Sequence, residues 1–333
     1  MPSIVPVNLI TGFLGAGKTT LLRHVLEHGL AGRRVAVIVN EIGEIGIDGR
    51  LIEGLDNVDQ MVELNSGCIC CSPGLQFGLA VQEILDTVKP ELLVIETTGT
   101  AQVGPLTAEV ESLGLRIDAV SCVVDAEHIA YHLAQSVAAR EQVCHADFLV
   151  LNKCDLVAAS SLAKVCRRLT RLNGRAVQHR TEYGRVDYDL LFATAGRTYR
   201  ERAQGGATRV DHLAADGIES FIFESDHPFR DLDQLQRLLG GLPRDIYRVK
   251  GLVMVGEGPQ RYLANVTCGR AQFDIAPAAL SQLGRTSLVV IGRGAVTEHR
   301  PVIERLFAGA TLAAAPERPG LRSLGRLFPR GRA

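Results

Sequence analysis

The segment GFLGAGKTT, Gly12–Thr20, decides the fold of the first half of this chain. It matches the pattern G-x-x-x-x-G-K-S/T, follows an apolar run that predicts a strand, and begins a run that predicts a helix. The glycines allow backbone N–H groups to surround phosphate oxygens, and the helix N-terminus adds positive potential. We expect Lys18 to contact the β- and γ-phosphates of a nucleotide and the Thr19 hydroxyl to bind Mg²⁺. The residues predicted to bind the phosphates and Mg²⁺ are Gly12, Gly15, Ala16, Gly17, Lys18, Thr19 and Thr20.

Short apolar runs alternate with longer amphipathic runs around this loop. The apolar runs that predict strands include VPVNLIT, RRVAVIVNE, LLVIET, AVSCVVD and DFLVLNK. They are continuous rather than alternating, which is typical of strands covered on both faces in a parallel sheet. The sequence therefore predicts an α/β fold of the P-loop NTPase type, an open and mostly parallel sheet with helices on both faces.

The composition of the chain changes after this predicted domain, which we place at residues 1–180. Polar, glycine-containing segments predict a linker at 181–215. The strand and helix patterns that follow predict a smaller C-terminal α+β domain at 216–309. Residues 310–333 contain five arginines against one glutamate, and we expect them to form a basic, disordered tail.

The overall composition indicates an ordinary globular protein. The 333 residues are 46% hydrophobic and carry a formal net charge of −1, so no global charge favours nucleic acid or a membrane surface as a partner. The N-terminal segment lacks a secretory signal pattern, and no apolar run approaches the roughly 18 residues that a membrane span needs. We therefore expect a cytoplasmic protein, in which clustered cysteines are reduced and available as ligands or reactive groups.

The segment LNKCD closes a predicted strand late in the first domain and contributes Asn152, Lys153 and Asp155. The Asp155 carboxylate can accept two hydrogen bonds from the ring N–H and the exocyclic amine of guanine. Adenine lacks this pair of donors and would leave the carboxylate unpaired, so discrimination should be large. Following a phosphate loop, this pattern predicts that the protein binds GTP rather than ATP.

The segment LLVIETTG ends a predicted buried strand at Glu96, and Gly99 follows three residues later. In P-loop proteins an acid at this place orients Mg²⁺ or the attacking water, and the glycine N–H senses the γ-phosphate. We take Lys18, Glu96 and Gly99 as the candidate catalytic residues. Asp125 ends another predicted strand at the same edge, where it could act at the nucleotide or cap the next helix.

Three cysteines lie within four positions in the segment NSGCICCSPG, at Cys68, Cys70 and Cys71. Adjacent cysteines close only a strained ring, and flanking polar and glycine residues indicate a loop, so we favour a site for Zn²⁺ or another late transition metal. A redox thiol and a structural cluster stay as alternatives. Glu44, in the acidic segment NEIGEIGID, is a candidate fourth ligand, with water and a client residue as alternatives. The remaining cysteines are predicted to be core residues, at Cys122, Cys144, Cys154, Cys166 and Cys268.

Taken together, these motifs resemble those of the CobW-type GTPases, a SIMIBI-class P-loop family of metal chaperones that includes zinc transferases. The matching segments are GFLGAGKTT, NEIGEIGID, GCICC, ETTG, VVDA and NKCD, in that order. The resemblance implies a GTPase that uses GTP, GDP and Mg²⁺, binds Zn²⁺ or Co²⁺ through Cys68, Cys70 and Cys71, and transfers the metal to a client metalloprotein on hydrolysis. GTPases of this class often pair, so a nucleotide-dependent homodimer is also among the expected partners.

Two other functions are compatible with the phosphate loop. A P-loop kinase would transfer phosphate to a small molecule and would prefer ATP. A regulatory scaffold would bind GTP without transferring a metal, and no metal or client would raise its GTP hydrolysis. The client protein and the physiological metal are not defined by the sequence.

Overall fold

The computed structural model describes residues 5–28, 34–40, 60–64, 75–186, 188–192, 218–256, 258, 260–276 and 285–312. The predicted metal ligands Cys68, Cys70, Cys71 and Glu44 lie outside these described residues. The chain divides into two compact units at Phe192.

A parallel sheet is the centre of the first unit, and seven of its strands belong to the described residues. The strands are β1 (Pro6–Thr11), β2 (Val35–Asn40), β3 (Gln60–Leu64), β4 (Leu92–Glu96), β5 (Arg116–Asp125), β6 (Phe148–Asn152) and β7 (Val177–Arg180). Their spatial order is β3-β2-β4-β1-β5-β6-β7, and every neighbouring pair is parallel. The predicted open, parallel α/β fold is confirmed.

Helices cover both faces of this sheet, which explains why its strands are continuously apolar. The helices are α1 (Lys18–His28), α2 (Leu75–Thr87), α3 (Val103–Ser112), α4 (Ile129–Gln135), α5 (Val137–His145), α6 (Ala159–Leu172) and α7 (Tyr188–Phe192). Alternate residues of β1 and β4, such as Leu9 and Ile95, pack with Phe77 of α2 and Leu106 of α3. Residues of β5 and β6 pack with α4, α5 and α6 on the same face. The crossover from β1 to β2 runs in the opposite direction along the sheet, which places α1 on the other face, against β1 and β4.

The first unit continues beyond the boundary predicted at residue 180. Helix α7 buries Leu190 and Phe192, and the turn before it lies so close to α1 that a Cβ on Gly184 would come within 2.8 Å of the Leu21 nitrogen. Residues 181–192 therefore belong to the first unit rather than to the predicted linker, because the short apolar run YDLLF contributes to its core.

The second unit is built on an antiparallel sheet. Its described strands are β8 (Ile218–Ser225), β9 (Ile246–Met254), β10 (Arg261–Thr267), β11 (Arg270–Ile275) and β12 (Thr286–Arg293), in the order β11-β10-β9-β12-β8. Two helices, α8 (Leu232–Gly240) and α9 (Arg300–Gly309), contribute to its core, where the Phe223 and Phe307 rings meet edge to face at 5.0 Å. This is the α+β architecture expected for the C-terminal domain.

The C-terminal end of the described chain is joined to the second unit. Ala310 is buried, and the Leu312 N–H donates to the Pro228 carbonyl at 2.9 Å. The unit thus includes the first residues of the segment predicted to be a tail, whereas residues 313–333 lie outside the description. No helix among the described residues is both long enough and apolar enough to span a bilayer.

Asn173 closes the C-terminal end of α6 and ties it to α5. Its side-chain amide donates to three main-chain carbonyls at the end of α5, at 2.8–3.1 Å. Its oxygen accepts from the N–H groups of Arg175 and Ala176, both at 3.1 Å. Because the side chain is 8% exposed, water cannot replace all of these bonds.

We expect Asn173→Ala to lower the free energy of unfolding of the first unit by about 2–3 kcal/mol, since buried carbonyls and amides would lose their partners. Ser160→Ala, an exposed change on the same helix, should alter it by less than about 0.5 kcal/mol. Urea unfolding followed by far-ultraviolet circular dichroism measures both. Equal midpoints for the two variants would contradict the structural importance of this amide.

Candidate functional site

The phosphate loop connects β1 to α1 in a conformation that only glycine adopts easily. Gly12, Gly15 and Gly17 have φ angles of +138°, +72° and +98°. A Cβ on Gly12 would lie 2.2 Å from the Val123 carbonyl oxygen, and one on Gly17 would lie 2.4 Å from Nδ2 of Asn152. The close approach of β5 and β6 therefore requires glycine at positions 12 and 17.

The predicted phosphate-binding residues are all at this turn and at the first turn of α1. Ala16 is buried, and its N–H donates to the Phe13 carbonyl at 3.2 Å, which closes the loop. Lys18 and Thr19 are partly exposed, Thr20 is exposed, and α1 begins at Lys18. This places a lysine at a helix N-terminus behind a glycine loop, an arrangement that suits an anionic phosphate chain.

The predicted Mg²⁺ residue and the predicted catalytic acid are in direct contact. The Thr19 hydroxyl donates to Oε1 of Glu96 at 3.0 Å. Glu96 ends β4 and is only 4% exposed, because its strand lies between β1 and β2. Together the two side chains offer a hydroxyl and a carboxylate oxygen beside the phosphate loop, the ligand chemistry that Mg²⁺ prefers.

Gly99 lies against the phosphate loop. A Cβ at this position would be 2.6 Å from the main-chain nitrogen of Leu14, so the two backbones approach closely. The segment that contains Gly99, which follows β4, is fixed to β1 at its start. The Thr97 N–H donates to the Ile10 carbonyl at 2.9 Å, and the Thr97 hydroxyl donates to the Thr11 hydroxyl at 3.0 Å. The structure thus brings the candidate catalytic residues Glu96 and Gly99 to the phosphate loop.

The three residues of the NKCD segment have different roles in the structure. Asn152 is 3% exposed; its amide donates to the Ala16 carbonyl at 3.0 Å, and its oxygen accepts from the Gly184 N–H at 3.0 Å. Lys153 has a left-handed backbone with φ of +60° and turns the chain into the short helix that contains Asp155. Asp155 is exposed, so its carboxylate is accessible to a guanine base.

Asp125 both fixes the turn that precedes α4 and binds a site residue. Its Oδ1 accepts from the N–H groups of Glu127 and His128 ahead of α4, at 2.9 and 3.2 Å, and its Oδ2 binds Nζ of Lys153 at 2.8 Å. Burial by itself would raise the pKa of the Asp125 carboxyl. The hydrogen bonds from Lys153 and the two N–H groups outweigh that effect and lower the pKa, so the carboxylate stays ionised. The Lys153 pairing was not predicted, because no sequence spacing relates positions 28 residues apart.

The strands that lead to the predicted metal ligands end at the nucleotide edge of the sheet. Glu96 pairs with Ile10 of β1 on one side and Val39 of β2 on the other. At the next position along β2, Asn40 pairs with Leu64 of β3. Because the strands are parallel, the segments after β1, β4, β2 and β3 all leave the same edge in consecutive order.

The five described cysteines differ in environment. Cys122 is buried as predicted, and burial raises the pKa of its thiol to about 12. Cys154 is partly buried, which likewise raises its pKa, and its thiol donates to the Leu151 carbonyl at 3.1 Å. Cys144 is exposed, contrary to the prediction, because it lies on the outer face of α5; Cys166 and Cys268 are intermediate.

Comparisons with known proteins match both units. The family model described as "CobW/HypB/UreG, nucleotide-binding domain" matches residues 6–180, and the one described as "Cobalamin synthesis protein cobW C-terminal domain" matches residues 218–311. The zinc chaperone YjiA of Escherichia coli is 36% identical over 278 residues, which cover 78% of this chain and 85% of the relative. The zinc-regulated GTPase metalloprotein activator 1 of Schizosaccharomyces pombe is 37% identical over 194 residues, 55% of this chain and 47% of the relative. The crystal structure of zinc-bound YjiA GTPase from E. coli has a TM-score of 0.43 and 27% identity, covering 92% of this chain and 99% of that one.

We expect Asn152→Asp to weaken nucleotide binding by roughly 5- to 150-fold, because a carboxylate cannot donate to the Ala16 carbonyl and the lost bond to a buried group is worth about 1–3 kcal/mol. Gln178→Glu removes a comparable amide donor from strand β7, away from the phosphate loop, and should leave the affinity within about twofold. Titration with a fluorescent GDP analogue measures both. Equal affinities for the Asn152 variant and the wild type would show that the amide does not fix the loop.

Proposed function

Because the chain belongs to the CobW/HypB/UreG family, we propose that it is a GTP-hydrolysing metallochaperone that binds Zn²⁺ and transfers it to a client metalloprotein in the cytoplasm. The relatives named as zinc chaperones support the metal, and the relative named as a metalloprotein activator supports a client. Co²⁺ is a further candidate for the cargo. The client protein itself is unidentified.

The single observation that carries the proposal is the shared sheet edge. Glu96 lies between the strand that leads to the phosphate loop and the strand that leads to Glu44. The next strand, β3, leads to the cysteines. A metal site built from the segments after β2 and β3 would therefore adjoin the nucleotide site.

The distances along the chain allow Glu44 and the cysteines to meet. Glu44 follows the end of β2 by four residues, and Cys68 follows the end of β3 by four. Four extended residues span at most about 14 Å, whereas neighbouring strands lie about 4.8 Å apart. We propose Cys68, Cys70 and Cys71 as thiolate ligands and Glu44 as the fourth ligand. Soft thiolates suit Zn²⁺, and a carboxylate supplied by a different segment gives a site that can open.

In the proposed reaction, each described residue has a limited task. The phosphate loop and Lys18 bind the phosphates, and Asp155 binds the guanine. Glu96 and Gly99 act at the γ-phosphate, where hydrolysis takes place. Thr19 and Glu96 would bind Mg²⁺, which, when bound, neutralises charge on the β- and γ-phosphates. The segment after β2 would respond to the γ-phosphate and bring Glu44 to the thiolates, and hydrolysis would release it. This coupling requires that the metal bind the GTP state more tightly than the GDP state.

We expect Asp155→Ala to reduce the preference for GTP over ATP by about tenfold or more, because the paired acceptor for guanine is lost. The wild type and the variant are compared by competition of each nucleotide against a fluorescent GDP analogue. Asp226→Ala, which removes an exposed carboxylate from the second unit, serves as the control. An unchanged GTP preference in Asp155→Ala would instead favour a kinase-like nucleotide site.

We expect Zn²⁺ to bind at least about tenfold more tightly with Mg²⁺ and a nonhydrolysable GTP analogue than with GDP. Cys70→Ser should abolish this difference, whereas Cys144→Ser, at an exposed cysteine of α5, should preserve it. Competition with a chromophoric zinc chelator measures the affinities, and sedimentation of the same samples tests for a nucleotide-dependent homodimer. Equal zinc affinities in the two nucleotide states would refute gating by the nucleotide.

A further inference from the structure

Helices α4 and α5 contact both loops of the nucleotide site. The His132 ring of α4 packs against Phe13 of the phosphate loop, with ring centroids 4.4 Å apart. From α5, Gln142 reaches the loop that follows β4. These two helices therefore support the phosphate loop and the loop that follows β4, here called the Gly99 loop, from the same side of the sheet.

Gln142 makes two hydrogen bonds to the main chain of the Gly99 loop. The side chain is 1% exposed, and its Nε2 donates to the carbonyls of Gly99 and Ala101, each at 3.1 Å. The chemistry of the partners fixes the orientation of this amide, because carbonyl oxygens only accept hydrogen bonds. With the amide reversed, Oε1 would face two carbonyl oxygens and repel both.

The two bonds hold Gly99 where it touches the phosphate loop. On one side of Gly99 lies the main chain of Leu14, with no room for a Cβ. On the other side, its carbonyl is fixed by Gln142. A second tie follows, since Oε1 of Glu141 accepts from the Gly104 N–H at 3.2 Å. Consecutive side chains of α5 thus fix the loop that follows β4, through Gln142, and the first turn of α3, through Glu141.

We propose that Gln142 is a positioning residue for GTP hydrolysis. It acts through Gly99: by holding the carbonyls of Gly99 and Ala101, it sets the place of the Gly99 backbone beside the phosphate loop before the nucleotide reacts. A donor that is positioned in advance stabilises charge in the transition state without the cost of reorganisation. This inference rests on the proposed GTPase function, and it adds a buried residue whose amide binds the main chain of the Gly99 loop.

Two substitutions of similar size separate the donor function of Gln142 from its volume. Gln142→Met removes the amide, and Gln142→Glu replaces the donor with a second oxygen. Each should lower kcat for GTP by about tenfold or more while KM changes by less than about threefold. The reason is that the Gly99 loop is displaced, whereas the phosphate loop and Asp155 are unchanged. Circular dichroism and thermal unfolding check that each variant is folded.

The pH profile distinguishes positioning from a general loss of structure. A carboxyl group buried against two carbonyl oxygens has a raised pKa, so Gln142→Glu is neutral below that pKa and its O–H can donate one bond. The ratio of the Gln142→Glu kcat to the wild-type kcat should therefore rise as the pH falls below the raised pKa. The ratio should fall again as the pH rises through that pKa. Gln142→Met should show no recovery. The titratable side chains that lie nearest on α5, Glu141 and His145, face Gly104 in α3 and are unchanged in every variant, as is Glu96 at the end of β4.

The matched control is Gln135→Glu, the same chemical change at an exposed position at the end of α4, which should keep wild-type kcat at every pH. A wild-type kcat in folded Gln142→Met would overturn the inference. So would a lower melting temperature with kcat unchanged, since that result marks a purely structural residue. Absence of GTP turnover in the wild type, with Zn²⁺ and Mg²⁺ present, would instead refute the proposed function.

Discussion

The side-chain amide of Asn152 joins the phosphate loop to the turn that follows β7, and the nucleotide end of the first unit depends on this contact. The amide donates to Ala16 and accepts from Gly184, so both of its polar ends are satisfied while the side chain is buried. The approach is close enough that Gly17 must lack a side chain. Lys153, the next residue, has a left-handed conformation and turns the chain so that Asp155 is exposed. The proposed phosphate-binding loop and the proposed base-binding residue therefore share one fixed point.

The order of the strands gives the site its second constraint. Strand β4 lies between β1 and β2, so Glu96 is placed between the phosphate loop and the segment that contains Glu44. A buried parallel strand cannot shift by itself without breaking ladders on both sides. Movement linked to the nucleotide is therefore restricted to the segments beyond the strand ends, which is where the proposed metal ligands are located. Supports such as Gln142 come from helices behind the edge and act on the main chain rather than on the ligand.

Local patterns with fixed spacing allowed the parallel fold of the first unit and the position of its phosphate loop to be predicted from the sequence. The phosphate loop and the continuous apolar strands define the parallel fold, because each depends on neighbours within a few residues. The contacts of Gln142 and the pairing of Lys153 with Asp125 were not predictable, since each joins elements that are remote in sequence and uses residue types that are common on helix and loop surfaces. The extension of the compact first unit to Phe192 was not predicted, for a related reason. The run YDLLF is too short to stand out among polar residues, and its burial depends on packing against the sheet.

The burial of Cys122 has a consequence for how such a protein would handle its cargo. A thiol binds zinc only after it loses its proton, so the raised pKa of the buried Cys122 keeps that thiol protonated at neutral pH. The raised pKa of Cys154 acts in the same direction. Burial therefore makes these two cysteines poor zinc ligands. It keeps the sulfur atoms of Cys122 and Cys154 from competing with the proposed ligands for a scarce ion.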